Sequence, residues 1–238
     1  MTVRIRAITP IEVPEEELRR RQERYDAVSP AGIRVELFNL AGSPRELDSP
    51  AACRISERLA VQEVLRTDAE RYDAVMVDCV LDPGLEELER RAPVPAFGIL
   101  KLCAGTLAAA GHRFGAVARN KAIADELEAR VTALGYGHAF DRVAVLDLSL
   151  NDISDPARWN AALSRAAADF EGSGTRVLIN GCSAVEVLPS GGSGVAVVDP
   201  TAFALDVLGL TLARRLPLPR PGWRAQERTA RAAAAPAR

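Results

Sequence analysis

The sequence is short of the features that mark most function classes. It has no excess of positive charge: 30 lysines and arginines stand against 32 aspartates and glutamates, a formal net charge of -2, so nothing draws the molecule toward nucleic acid or an anionic lipid surface. It has no long apolar run either. No stretch reaches the roughly 20 apolar residues that span a bilayer. The opening MTVRIRAITP lacks the apolar core and small-residue cleavage site of a secretory signal, so a cytoplasmic location is expected. Imidazole is scarce: His112 and His138 sit at no metal-ligand spacing from a cysteine or carboxylate, which argues against a metal centre or a histidine charge relay. The four cysteines, at 53, 79, 103 and 182, are too sparse for a disulfide framework and form no CxxC pair; reduced thiols are expected. Proton chemistry is left to thiols, carboxylates and lysines.

What is present is a long alternation of short Val/Ile-rich runs with amphipathic segments, the pattern of βα units around a parallel sheet. The runs predict strands at 3–9, 33–38, 73–79, 94–99, 113–118, 141–147, 175–180 and 194–198. The segments between them predict helices at 14–28, 51–71, 83–91, 101–111, 120–135, 156–171, 183–189 and 200–215. Asp82-Pro83 and Asp199-Pro200 each pair an N-capping acid with a proline in the first turn, where the missing N–H costs nothing. The fold class is α/β in two lobes, 1–98 with 199–216 and 99–198, each a mainly parallel sheet flanked by helices. A basic, proline-rich tail at 217–238 is expected to be disordered. The glycine-rich PSGGSGV at 189–195 lacks the Lys-Ser/Thr of a phosphate loop and precedes a strand, so it reads as a flexible loop. PEEELRRRQER and LEELERR have the charge spacing of solvated helices and are assigned no catalytic part.

One internal echo carries the function. YDAVMVDCVLDPGLEEL and GTRVLINGCSAVEVL both run from an aliphatic strand into a cysteine and then a helical pattern, one in each lobe. Ligands of open α/β sheets bind beyond the carboxyl ends of the strands, so Cys79 and Cys182 are placed at the mouth of one cleft. A cysteine between a strand and a helix start gains from free amides and the helix dipole, which favour thiolate. Thiolate and thiol on opposite sides of a carbon acid form a base and an acid for a 1,1-proton transfer. The amides after each cysteine, at Val80 and Ser183, are placed to hold the enolate oxygen. Simple packing also buries free cysteines, and spacing does not separate the two readings. Cys53 and Cys103, among apolar neighbours in predicted helices, read as packing.

The segments DAVMVDCVLDPGLEEL, PVPAFGI, RFGAV, VLINGCSAV and VAVVDPTAFALDVL, in that order across most of residues 3–215, resemble the hydantoin and allantoin racemase branch of the aspartate/glutamate racemase superfamily. Cys79 with Asp82-Pro83-Gly84-Leu85 and Gly181-Cys182-Ser183 carry the likeness most specifically. The resemblance implies two pseudosymmetric α/β lobes with the active site in the cleft between them. It also implies a small-molecule substrate, no cofactor, and Cys79 and Cys182 as paired acid and base.

Departures bear on substrate. Thr9-Pro10-Ile11 stands where the branch has Asn-Pro-Asn, with Thr9 as a partial replacement. Leu100-Lys101-Leu102 replaces Gly-Glu-Ala, Ala118-Arg119 replaces Thr-Thr, Ser183-Ala184-Val185 replaces Ala-Gly-Met, and Asp78 is unusual before the first cysteine. Lys101 and Arg119 are thereby expected on the cleft rim, with Arg119 gripping a substrate carboxylate; the plainer reading makes both solvated helix-start residues. The same superfamily also supplies cis/trans isomerases and decarboxylases as alternatives, and a silent ligand-binding protein is a third. Homo-oligomerisation is left open by the sequence.

Overall fold

A computed structural model describes residues 2–188, 194–214 and 216. The expected tail at 217–238 and most of the glycine-rich loop, residues 189–193, lie outside the described residues.

The first sheet is built from β1 (Val3–Ile8), β2 (Ile33–Phe38), β3 (Ala74–Val77) and β4 (Ala96–Phe97), in the order β2-β1-β3-β4. The second, from β5 (Phe114–Ala118), β6 (Phe140–Val145), β7 (Val177–Asn180) and β8 (Ala196–Val198), has the order β6-β5-β7-β8. All pairings are parallel, and the two orders are the same sequence of moves repeated. The central strands AVMV, FGAVA and VLIN are buried at every position. Such strands read as continuous apolar runs because helices cover both faces.

The helices are α1 (Glu15–Val28), α2 (Pro50–Val64), α3 (Leu85–Arg91), α4 (Ile99–Ala109), α5 (Lys121–Ala133), α6 (Pro156–Ala168) and α7 (Pro200–Ala213), with a short 3₁₀ helix at Leu150–Ser154. Helix α4 links the two sheets in sequence and packs against α7.

All eight expected strands are found; three helix expectations need correction. Helix α2 stops at Val64 because the Asp68 turn takes over the backbone, its carboxylate accepting from Glu70 N at 2.9 Å. No helix forms over residues 183–188: the carbonyls of Ala184 and Val185 accept from Arg20, Arg24 and Asn180 side chains in place of amides one turn on. Asp199 caps α7 as expected, accepting from Thr201 N and Ala202 N at 3.0 and 3.1 Å. Asp82 does not cap α3, which starts only at Leu85 after Gly84 in the left-handed region. Asp82 itself has φ 47, and its carboxylate crosses to the N-terminus of α4, accepting from Leu100 N at 3.1 Å and Lys101 N at 2.8 Å. Gly98 makes this crossing possible, since a Cβ there would overlap the Asp82 carboxylate.

Candidate active site

In each sheet the order in which strands are added reverses between the two central parallel strands, and the carboxyl ends of those strands leave a crevice. Pro10 and Ile11 follow β1, Asp78 to Leu81 follow β3, Arg119 follows β5, and Gly181 to Ala184 follow β7. All of them line one cavity of about 70 Å³ between the sheets, closed by Leu47, Ile123, Leu150 and Ile153. Cys79 and Cys182 are thus brought to the same cavity from equivalent positions of the two sheets. Its volume suits a compact solute, and most of its wall is aliphatic. A larger space of about 510 Å³, sharing Ile11, Arg21, Leu150 and Ile153 with the inner cavity, adds the charged side chains of Glu12, Glu17 and Arg45 to a mostly apolar wall.

The two cysteine turns are built alike. The Leu81 N–H bonds to the Cys79 sulfur and the Ala184 N–H to the Cys182 sulfur, each two residues on. The Val80 and Ser183 amides donate to no acceptor among the described residues, while both residues line the cavity. Asn180, wholly buried, accepts from Trp159 Nε1 at 3.1 Å and donates to the Cys182 carbonyl at 3.0 Å, fixing the second turn.

Electrostatically the turns differ. Burial pushes the Cys79 thiol far above the ordinary thiol range, and Asp78, Asp82 and Cys182 push the same way, against the Leu81 N–H. Burial also raises Cys182, but there the Arg21 guanidinium, the Ala184 N–H and Arg24 pull down against Asp78. The expected lowering of both thiols by helix N-termini is not found: α3 starts six residues beyond Cys79 and no helix forms over residues 183–188, so desolvation dominates.

Helix α1 supplies what sequence reasoning missed. Arg19 is exposed as expected of a solvated face, but its neighbours turn toward the protein: Arg20, part exposed, donates to the Ala184 carbonyl at 3.3 Å, Arg24 pairs with Asp199, and Arg21 is only 5% exposed. Arg21 Nε donates to Glu17 at 2.7 Å and Nη1 to Asp78 at 3.4 Å. Asp78, 1% exposed, also accepts from Tyr25 at 2.7 Å. The one signal available was the odd acid beside Cys79, because a buried carboxylate requires a cation or several donors.

The remaining expected residues are placed as follows. Thr9 does not line the cavity; its hydroxyl accepts from Leu40 N at 3.0 Å and faces Asn39 at 3.3 Å, holding the β1 and β2 ends together. Ser183 lines the cavity, but its hydroxyl is occupied, donating to the Asp78 carbonyl at 3.0 Å. Arg119 lines the cavity and is 5% exposed, so it is no solvated helix-start residue. Its guanidinium is spent on Glu46 at 2.7 Å and the Leu148 carbonyl at 3.4 Å, where a substrate carboxylate was expected. Lys101 is not on this rim; it pairs with Glu89 of α3 beside a separate surface pocket. Cys103 is fully buried in α4 and bonds to the Pro200 carbonyl at 3.2 Å. Among the described residues no cluster of three or more His, Cys, Asp or Glu is arranged to hold a metal ion, and no helix is long and apolar enough to cross a membrane.

Over residues 15–208 the sequence matches the family described as Asp/Glu/Hydantoin racemase. No curated protein sequence matches significantly. Similar solved structures include the allantoin racemase of Pseudomonas fluorescens, at TM-score 0.76 and 18% identity over 91% of this chain and 94% of that one. The allantoin racemase of Klebsiella pneumoniae follows at TM-score 0.74 and 16% identity, over 92% and 91% of the two chains. A maleate isomerase of Pseudomonas putida has TM-score 0.59 and 15% identity, over 93% and 96%. At such identities the likeness establishes a shared fold.

Proposed function

Because the chain belongs to the Asp/Glu/Hydantoin racemase family, we propose that it is a racemase or epimerase in which Cys79 and Cys182 carry a 1,1-proton transfer at a carbon next to a carbonyl. The thiolate on one face removes the Cα proton, and the C–H electron pair moves onto the carbonyl oxygen as an enolate. The thiol on the other face then gives its proton to the carbon. The enzyme is left with its thiolate on the opposite side, ready for the reverse direction. Two side-chain thiols need no cofactor for these steps. The unengaged amides of Val80 and Ser183 supply the enolate contact, which gains strength in a cavity walled by aliphatic side chains.

The observation that carries this reading is the convergence of both thiols, from equivalent strand ends, on one small cavity. The substrate class follows from the wall. Both cavity arginines already face protein carboxylates, Arg21 with Asp78 and Glu17, Arg119 with Glu46. A neutral, hydantoin-like cyclic amide with a compact apolar substituent therefore suits the site better than a free acidic amino acid.

The test is proton exchange in D2O, followed by NMR of the Cα–H signal and by optical rotation, with each enantiomer of several 5-substituted hydantoins and of acidic amino acids. The reading expects exchange with loss of optical activity for a hydantoin, abolished in both Cys79→Ser and Cys182→Ser. Full-rate exchange in either variant, or ligand protection without exchange in the parent, contradicts it.

A further inference from the structure

Arg21 stands where the two spaces of the site meet. Ile11, Arg21, Leu150 and Ile153 border both the inner cavity of about 70 Å³ and the outer space of about 510 Å³. The other three are aliphatic, so Arg21 is the one polar side chain at this neck. It is held there from α1 by neighbours one turn apart on the same side of the helix, Arg20 and Arg24, which donate to the Ala184 and Val185 carbonyls at 3.3 and 3.5 Å.

The guanidinium is anchored at one end and open at the other. Its Nε donates to Glu17 at 2.7 Å and its Nη1 to Asp78 at 3.4 Å. Its Nη2 donates to no acceptor among the described residues, yet it is not sealed off: the enclosed side-chain polar atoms without a partner among those residues are Arg24 Nε and Ser29 Oγ. Nη2 therefore meets open space, and the open space that Arg21 borders is the neck. The Ser183 hydroxyl, by contrast, is taken by the Asp78 carbonyl, and the Asp78 carboxylate by Tyr25 and Arg21.

Charge decides what this donor can take. Glu17 and Asp78 already match the positive charges of Arg20 and Arg21, so a substrate carboxylate at the neck would find no unmatched cation to offset its desolvation. An uncharged carbonyl oxygen needs none and still gains a hydrogen bond from an ionised donor.

We propose that Arg21 is a substrate-binding residue whose Nη2 donates to a carbonyl oxygen remote from the reacting carbon, so that the site selects cyclic amides carrying a second carbonyl. The inference rests on the two-thiol reading above, in which the Val80 and Ser183 amides take the carbonyl next to the reacting carbon; Arg21 takes the other. In a hydantoin that second oxygen sits on the urea carbon and points away from the first.

The experiment is calorimetric titration of the full-length protein with racemic 5-isopropylhydantoin and with its 2-thio analogue, in which sulfur, a weak acceptor, replaces the urea oxygen. A racemic ligand is already at the end point of racemisation, so the titration reads binding with or without turnover. The parent should bind the hydantoin about tenfold or more tighter than the thio analogue, because a donor placed for an oxygen is left poorly paired by sulfur. Arg21→Met should lose about that factor for the hydantoin and bring the two ligands within about twofold of each other. That variant leaves Asp78 without its cation, so the comparison is repeated in an Asp78→Asn background, where the preference should persist with Arg21 and vanish with Met. Arg21→Lys keeps the charge beside Glu17 and Asp78 but not the planar fork; it should restore the melting temperature without restoring the preference, which a purely structural role would not predict. A preference that survives Arg21→Met in both backgrounds, or a parent that binds the two ligands equally or neither, overturns the proposal. Arg21-dependent binding without proton exchange in D2O strikes the two-thiol reading and leaves Arg21 as the binding residue, whereas exchange with binding indifferent to Arg21 does the reverse.

Discussion

The Ser183 hydroxyl donates to the backbone carbonyl of Asp78 across 3.0 Å, so the turn carrying Cys182 is hydrogen-bonded to the turn carrying Cys79. This bond joins the two halves of the site beside both sulfurs, and it is short-ranged in space though it spans 105 residues of sequence. Ser183→Ala removes it and leaves a buried carbonyl without that donor, at a cost of about 1–2 kcal/mol. On the two-thiol reading proposed above, the larger effect is on turnover, because loosening the distance between acid and base by a fraction of an ångström degrades a proton transfer that depends on alignment. Racemisation kcat should fall by about tenfold or more with KM little changed. Unchanged kcat beside a lowered melting temperature would make the bond purely structural.

Gly181 is the one residue that lets β7 turn into the second cysteine loop so close to β5. A Cβ at this position would overlap the Val117 carbonyl oxygen and stand 3.1 Å from the Val117 carbonyl carbon. Both are backbone atoms of the neighbouring strand and cannot rotate away. Gly181→Ala should destabilise the protein by about 3 kcal/mol or more, or prevent folding. Gly137→Ala is the control: its Cβ would meet only Thr132 Oγ1, at 3.9 Å, and the change should stay within about 0.5 kcal/mol. Equal melting temperatures for the two variants would contradict the packing argument.

The sheets were legible because a strand buried on both faces has to be an unbroken apolar run, and AVMV, FGAVA and VLIN are just that. The cysteine pair was legible because the strand-to-cysteine passage occurs twice. What stayed hidden depends on tertiary contacts. The spacing of Glu17, Arg20, Arg21 and Arg24 serves a solvated helix face as well as a buried one, and only the lobe-2 turn laid against α1 decides between them. Asp82-Pro83 has the local chemistry of a helix cap, yet the free amides it meets belong to α4, 18 residues away. Arg119 has no local mark of the Glu46 carboxylate that satisfies it. Long-range partners of charged groups are decided by the fold, and propensity has no access to them.

Tyr25 and Asp78 are both fully enclosed, and the 2.7 Å bond between them is the closest contact the Asp78 carboxylate makes. Burial, with Asp78 beside it, holds the Tyr25 hydroxyl well above its ordinary ionisation range, so it remains a donor at any working pH. Tyr25→Phe keeps the ring and deletes the donor, leaving Asp78 to Arg21 at 3.4 Å. The loss should be about 1–3 kcal/mol, a shift of several degrees in melting temperature for a chain of this size. A variant that melts with the parent would show that this hydroxyl contributes nothing to holding Asp78.

Asp82 gives the protein a pH dependence of definite sign. Burial lifts its carboxyl from an ordinary value of 3.8 to about 7, against the pull of the Lys101, Leu100 and Ile99 amides. Between those two values the folded chain keeps a proton that the unfolded chain has released, so the folded state binds more protons and stability falls as pH rises. The contribution is complete below about pH 4 and gone above about pH 7, with an upper size of about 4 kcal/mol. Asp82→Asn fixes the side chain neutral in both states and removes the slope. Parent minus variant stability, measured by urea denaturation at a series of pH values, should therefore decline steadily through that window and be flat above it. The same variant removes a negative charge from beside Cys79, where ionised Asp82 opposes the thiolate, so Cys79 should alkylate at a lower pH than in the parent. A constant difference in stability with an unshifted Cys79 would mean that Asp82 is ionised throughout, its charge fully met by the amides at the head of α4.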